Sequence, residues 1–166
     1  MLMEEYEKAV GRADKIRIFD IHGYHIGQVE ALIENNNAGI IVYDMIDNIR
    51  GFGSEARTDL QLEKMYQWAR ERCVKFNCIG LAASQISAEG DGTPYPEMWM
   101  LKDSRTGKQG ACDFQLMIGT GRVGTANCRY VSLPKNKLRR EGAKGNPQCE
   151  VVFDIDRARY KDIDIG

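Results

Sequence analysis

Apolar positions follow two rhythms along the chain. Ile26, Val29, Leu32 and Ile33 share one face of a helix predicted over Ile26 to Asn37. Further on, Leu62, Met65, Ala69, Cys73 and Phe76 recur at three- and four-residue steps, a second amphipathic stripe. Thr58, with Gln61 three residues later, supplies a capping box to open that helix. Leu2 to Val10 reads as a short helix ended by Gly11. The other rhythm is that of strands. Lys15-Ile-Arg-Ile-Phe19 alternates polar and apolar, while Gly39-Ile-Ile-Val-Tyr-Asp44 and Cys78-Ile-Gly-Leu-Ala-Ala83 are continuous apolar runs. Short unbroken runs of this kind are how fully buried parallel strands read.

Gly51 and Gly53 mark a loop, and a Gly/Pro-rich loop covers Glu89 to Pro96. Phe114–Thr120, Cys128–Leu133 and Cys149–Asp154 are predicted as three more strands, the last two forming a hairpin around a basic, glycine-containing connection. Helices alternate with strands in the first half. The expectation is therefore one α/β domain over residues 1–166, with a mostly parallel twisted sheet, helices on both faces and an antiparallel C-terminal hairpin.

Composition narrows this only slightly. The 166 residues suffice for one domain with a sizeable core, and 43% hydrophobic with 28% charged residues is ordinary for a globular chain. Lys plus Arg number 23 against 24 Asp plus Glu, so any nucleic-acid site must be a local patch. Cys73, Cys78, Cys112, Cys128 and Cys149 are odd in number and never spaced C-x-x-C, so buried reduced thiols are expected rather than a zinc ribbon or disulfide framework. The acidic start with Glu4, Glu5 and Glu7 is no secretory signal, and no apolar run is long enough to span a membrane.

Asp44 closes a buried strand, where a rigidly held carboxylate can orient the water shell of a Mg²⁺ carrying nucleotide phosphates. Many α/β strands end in an acid, so Asp44 alone says little. Ser84-Gln85 ends the next such strand, one amphipathic helix later. A polar amide there can hydrogen-bond a terminal phosphate, and open α/β sheets place ligands at this edge. The plain alternative is that Ser84 and Gln85 only begin a loop.

Taken in order, these residues are similar to the RecA-type motor of DnaB-like replicative DNA helicases, especially phage primase–helicases, over Ile16 to about Tyr160. Ile40-Ile-Val-Tyr-Asp44 resembles the family's Walker B strand, and Leu81-Ala-Ala-Ser-Gln-Ile86 its phosphate-sensor strand. In the stretch Leu101 to Asp113, Asp103, Ser104, Gln109 and Asp113 match the next motif. Lys135-Asn-Lys137 resembles the family's Lys-x-Arg pair, which reaches a neighbouring subunit's γ-phosphate.

The resemblance implies a RecA-like P-loop NTPase core. It implies Mg-ATP as cofactor of the complete protein, with Mg²⁺ held by Asp44 through water. Ser84, Gln85, Asp103 and Gln109 would line the nucleotide site, and Lys135, Lys137 and Arg139 would act on a neighbour's. The implied setting is ATP-driven translocation along single-stranded DNA by a homohexamer in the cytoplasm of a bacterial or phage-infected bacterial cell, with primase as a further partner.

Two departures stand out. The arginine finger falls on Lys137, which lacks the planar fork of arginine, with Arg139 or Arg140 as substitutes. No G-x-x-x-x-G-K-[ST] occurs in the sequence. In the family that loop precedes the first strand matched here, so the expectation is a motor domain lacking its first strand and phosphate loop, with no tight ATP binding and no hydrolysis by this chain alone.

For DNA contact, the channel-facing loops of such rings correspond to segments holding Arg50, Arg57 and Arg122, while the segment at Ser87 to Thr93 is acidic. No aromatic platform for stacking bases stands out. His22 and His25 lack two further ligands nearby and read as loop histidines. Trp68 and Trp99 are expected to pack, and Glu30 and Glu34 to be solvated. Two other functional classes remain open: a stand-alone degenerate RecA-like module that regulates a true motor, and a recombinase or mediator acting on a DNA filament.

Overall fold

A computed structural model of the chain describes residues 2–53, 58–102, 107–121 and 127–163. Helix α1 (Leu2–Val10) is followed by α2 (Ile26–Asn36), β1 (Ile40–Tyr43), α3 (Thr58–Phe76) and β2 (Ile79–Ala82). Then come α4 (Gly107–Ala111), β3 (Phe114–Thr120), β4 (Cys128–Asn136), β5 (Gln148–Asp154) and β6 (Arg159–Asp162).

Two ladders form. β1 and β2 pair in parallel, Ile40 opposite Ile79 through Tyr43 opposite Ala82. β3, β4, β5 and β6 pair antiparallel in sequence order. The expected C-terminal hairpin is the β4–β5 pair. The expectation of a mostly parallel sheet needs correction, because among the described residues parallel pairing is confined to β1–β2. Connection length is the physical reason. Only β1 and β2 are joined through a long helix, whereas short links from β3 onward reverse the chain each time.

The core lies between α2, β1 and α3. Val29 and Ile33 meet Tyr43, Ile46, Ile49 and Phe52, with Leu62, Met65, Trp68 and Ala69 from α3. Tyr43 and Phe52 both stand edge-on to Trp68, with ring centroids 6.1 and 5.4 Å away. This covers one face of β1–β2. On the other face Ile40, Val42, Ile79 and Leu81 are exposed, Val42 to 66%. Helices on both faces were expected; among the described residues one face is covered.

Helix α3 begins at Thr58, whose side chain lies outside the described residues, so the capping box there is not described. Its other end is a Schellman motif. Asn77 takes a positive φ of 50°, Asn77 N–H donates to Val74 O, and Cys78 N–H donates to Cys73 O. The chain thus turns directly into β2.

The predicted strand at Lys15–Phe19 does not form, and Ile18 is 93% exposed. Alternation makes a strand only where a neighbouring edge accepts its hydrogen bonds. Here Lys15 N–H turns back to Arg12 O, Ile16 N–H donates to the Tyr6 hydroxyl and Arg17 donates to Asn36 Oδ1. Pro134 sits within β4 beside the register shift between Gln115 and Met117, where a strand tolerates a residue without an N–H.

Other expectations shift as well. Trp68 packs, but Trp99 is 47% exposed and donates to Glu97. Glu30 is half-buried and accepts from Trp68, whereas Glu34 is exposed and pairs with Lys75. All five cysteines are free, as expected; four are half-buried rather than buried, and Cys149 is exposed. No helix among the described residues is long and apolar enough to cross a membrane.

Candidate functional site at the parallel strand edge and the basic strand end

Asp44 directly follows β1 and is exposed. The Ala83 N–H donates to Tyr43 O at 3.0 Å, which carries the β1–β2 register one residue past the ladder. Asp44 and Ser84-Gln85 therefore leave the sheet at the same carboxyl edge.

Behind this edge sits a group that sequence reasoning missed. Tyr66 of α3 is half-buried beside Ser84 and Asp47. Burial, reinforced by the Asp47 charge, pushes its hydroxyl up to about 12, with Ser84 acting in the opposite sense. Asp47 lies three residues past Asp44, in the short helical turn Ile46–Asn48. The sequence carried no signal for Tyr66, whose helical neighbours include Glu63 and Arg70 as well as Leu62 and Ala69.

Gln85 is exposed and tied down locally. Its carbonyl accepts the Lys102 N–H at 3.0 Å, and its Oε1 faces Lys102 Nζ at 3.4 Å. An isolated bridge between Ile86 and Leu101 continues this pairing. Lys102 immediately precedes Asp103, which lies outside the described residues, as do Ser104, Arg57 and Arg122.

The second cluster gathers where β4 ends. Lys135 donates to the carbonyl of Gln109 in α4. Lys137 N–H donates to Asp113 O at 2.8 Å, and its Nζ stands 3.7 Å from Asp113 Oδ1. Arg70 of α3 reaches the same oxygen at 2.8 Å and also donates to Ala111 O at 2.9 Å. Hydrogen bonding from Arg70, then the charge of Lys137, holds the Asp113 carboxyl below the usual carboxylate range. Pro134, Lys135, Asn136, Lys137, Arg139 and Gly145 line an open depression of about 440 Å³.

Sequence-matched Gln109, Asp113, Lys135 and Lys137 thus meet, and Arg139 lines the depression together with the two lysines. Arg70 had no signal in the sequence beyond being a basic residue on a helix. Asp44, Ser84 and Gln85 form the separate group at the parallel edge.

Arg50 is exposed, but its backbone is structural: it accepts from Ile26 N–H and donates to Tyr24 O, bridging His25. His25 packs its ring over Gly51, and its N–H donates to Gln28 Oε1 at the start of α2. No cluster of three or more His, Cys, Asp or Glu placed to hold a metal occurs among the described residues. An exposed carboxylate leaving the same strand edge as a hydroxyl and an amide has the oxygen chemistry to hold a hydrated Mg²⁺ through water. A cationic pocket at a strand end suits phosphate oxygens.

No protein-family model matches the chain, and no curated protein matches it. Solved structures do. A helicase ATPase domain matches with a TM-score of 0.75 at 14% identity, over 97% of this chain and 60% of that one. A DnaB-like replicative helicase, described together with its interactions with primase, matches with a TM-score of 0.74 at 15% identity, over 97% of this chain and 41% of that one. This chain has the fold they share. It spans less than two thirds of the length of either.

Proposed function

We propose that this chain supplies part of the ATP-dependent motor of a DnaB-like, ring-forming DNA helicase. The observation that carries the reading is the exit of Asp44 and Ser84-Gln85 at one carboxyl edge, in a fold shared with a solved helicase ATPase domain. On this reading Asp44 holds Mg²⁺ through water, Gln85 senses the terminal phosphate, and Ser84 and Asp103 line the nucleotide site, whereas Gln109, bonded to Lys135, stands with the cationic cluster and not with Asp44 as the resemblance implied. Lys135, Lys137 and Arg139 reach the nucleotide of a neighbouring subunit. Bound Mg-ATP would supply the phosphoryl-transfer chemistry; the residues here position, sense and neutralise charge.

The exposed apolar face supports a domain that is completed by further structure. Ile40, Val42, Ile79 and Leu81 lie bare beside a β2 edge that pairs with no strand among the described residues. Phe114, Leu116 and Ile118 of β3 are also exposed, and the β3 outer edge is likewise unpaired among those residues. An additional strand and helix carrying a phosphate-binding loop would cover such a surface and close the sheet edges. Single-stranded DNA, a homohexameric ring and primase follow as partners from the same likeness.

A second reading is favoured by the absence of G-x-x-x-x-G-K-[ST] from the sequence and by Lys137 in place of arginine. It is a degenerate RecA-like module, without ATPase activity, that binds a helicase or recombinase.

The test is DNA-stimulated ATP hydrolysis by this chain and by the native gene product, whose length is read by intact mass. Hydrolysis by a longer product that supplies the loop, with none by the chain alone, is the expected result. Robust turnover by the chain alone sinks the reading of its residues as an incomplete site. A native product identical to this chain and inactive leaves the binding-module reading in its place.

A further inference from the structure

We propose that Asp113 is an internal counter-anion of the Lys135–Lys137–Arg139 pocket, competing with phosphate for Lys137 and itself held in check by Arg70. The inference rests on reading that pocket as phosphate-binding.

One carboxylate oxygen, Asp113 Oδ1, serves two cations from different elements. Arg70 Nη1 of α3 lies at 2.8 Å and Lys137 Nζ at 3.7 Å. The shorter, hydrogen-bonded contact belongs to Arg70, which is anchored a second time on the Ala111 carbonyl. Lys137 is therefore the outer partner. Its backbone is fixed separately, through its N–H on the Asp113 carbonyl, so its ammonium can leave the carboxylate without moving the strand end. The Lys135 ammonium donates to a backbone carbonyl, that of Gln109.

A polyphosphate entering the depression must take Lys137 from Asp113, and it meets the repulsion of that carboxylate. Arg70 relieves both effects, because a carboxylate already paired with a guanidinium attracts the lysine less. The three side chains form a balance set by which cation holds Asp113. Both side-chain contacts are solvent-exposed, so the effect is modest and sensitive to salt.

The experiment is titration of the chain with inorganic tripolyphosphate by calorimetry, at low salt and again near 0.5 M added salt. Asp113→Asn keeps the backbone anchor and is expected to tighten binding by about two- to fivefold at low salt, with the gain shrinking at high salt. Asp113→Glu keeps the charge and binds close to wild type. Arg70→Gln releases Asp113 onto Lys137 and weakens binding. In the Asp113→Asn background, Arg70→Gln has no further effect, a non-additivity that a purely structural role for Arg70 does not produce.

If Asp113→Asn binds as wild type or more weakly while circular dichroism shows it folded, the counter-anion role is overturned. The same holds if the two substitutions simply add. If Lys135→Ala with Lys137→Ala binds tripolyphosphate as wild type does, the pocket reading fails and takes the inference with it. If those two weaken binding and Asp113→Asn changes nothing, only the role of Asp113 falls.

Discussion

The indole Nε1 of Trp68 donates to Glu30 Oε1 across 2.7 Å, joining α3 to α2 at the rim of the core. Arg72 approaches the same oxygen at 3.2 Å. An acid that helical spacing alone assigns to the solvent is therefore the acceptor for a buried indole. Leaving a buried donor without its partner costs more than the bond itself contributes.

Replacing Glu30 by alanine should lower stability by about 1–2 kcal/mol, reduced from the full value for a charged acceptor because the carboxylate is partly exposed. Glu30→Gln keeps an acceptor oxygen and should lose less than half as much. Urea unfolding measures both. An alanine variant as stable as wild type would show that water replaces Glu30 at no cost.

Two glycines should respond oppositely to alanine. A Cβ on Gly119, in β3, would overlap the backbone oxygens of Thr93 and Pro94 in the loop that crosses the strand. Neither atom sits on a flexible side chain, so Gly119→Ala should cost about 1–3 kcal/mol. Gly27, in the first turn of α2, has nothing within 4 Å of such a Cβ. Gly27→Ala should stabilise by about 0.5–1 kcal/mol through helix propensity. Thermal melts of the two variants, run together, decide between this account and a general tolerance of the fold.

Asp113 gives the pH dependence. Its carboxyl is held below the ordinary range by Arg70 first, with Lys137 adding to it. A depressed folded pKa means the stabilisation is fully present above the unfolded value, near 3.9, and disappears as pH falls through the folded value. Wild type should exceed Asp113→Asn in stability at pH 7, and the gap should close in strong acid. The side chain is 43% exposed, so the gap is small and salt-sensitive. Urea midpoints at several pH values measure it. A gap that widens toward acid would reverse the assignment.

Local pattern carried much of this fold. The stripe of Leu62, Met65 and Ala69 does face the core, and the two apolar runs do pair as parallel strands. The order Asp44, Ser84-Gln85, Lys135-Asn-Lys137 was legible because each group closes or follows a strand, and strand ends are marked in sequence by the loss of apolar residues. What was not legible depends on partners distant in the chain. Lys15–Phe19 carries the alternation of a strand but pairs with no strand among the described residues. β6 is a polar run, Arg159-Tyr-Lys-Asp162, that becomes a strand only because β5 offers an edge, with Phe153 against Tyr160. Arg70, Tyr66 and Asp47 matter through contacts across elements, which no spacing rule reveals.

The proposed role of Asp44 can be separated from the fold by experiment. It is exposed past the end of β1, so Asp44→Asn should change stability by no more than about 0.5 kcal/mol. Tyr43, its neighbour, is buried against Trp68, and Tyr43→Ala should cost about 3 kcal/mol or more. If Asp44 orients hydrated Mg²⁺, the isosteric amide loses the charge that holds the ion's water shell while keeping the side chain's size. ATP hydrolysis by a gene product that carries the phosphate loop should then fall on the order of 10²-fold or more, with little change in DNA binding. The pair of measurements is a melting curve and a DNA-stimulated ATPase rate on the same preparation. A variant that melts as wild type and hydrolyses as wild type would remove Asp44 from the site. One that loses both would make it a structural acid whose strand-end position has another explanation.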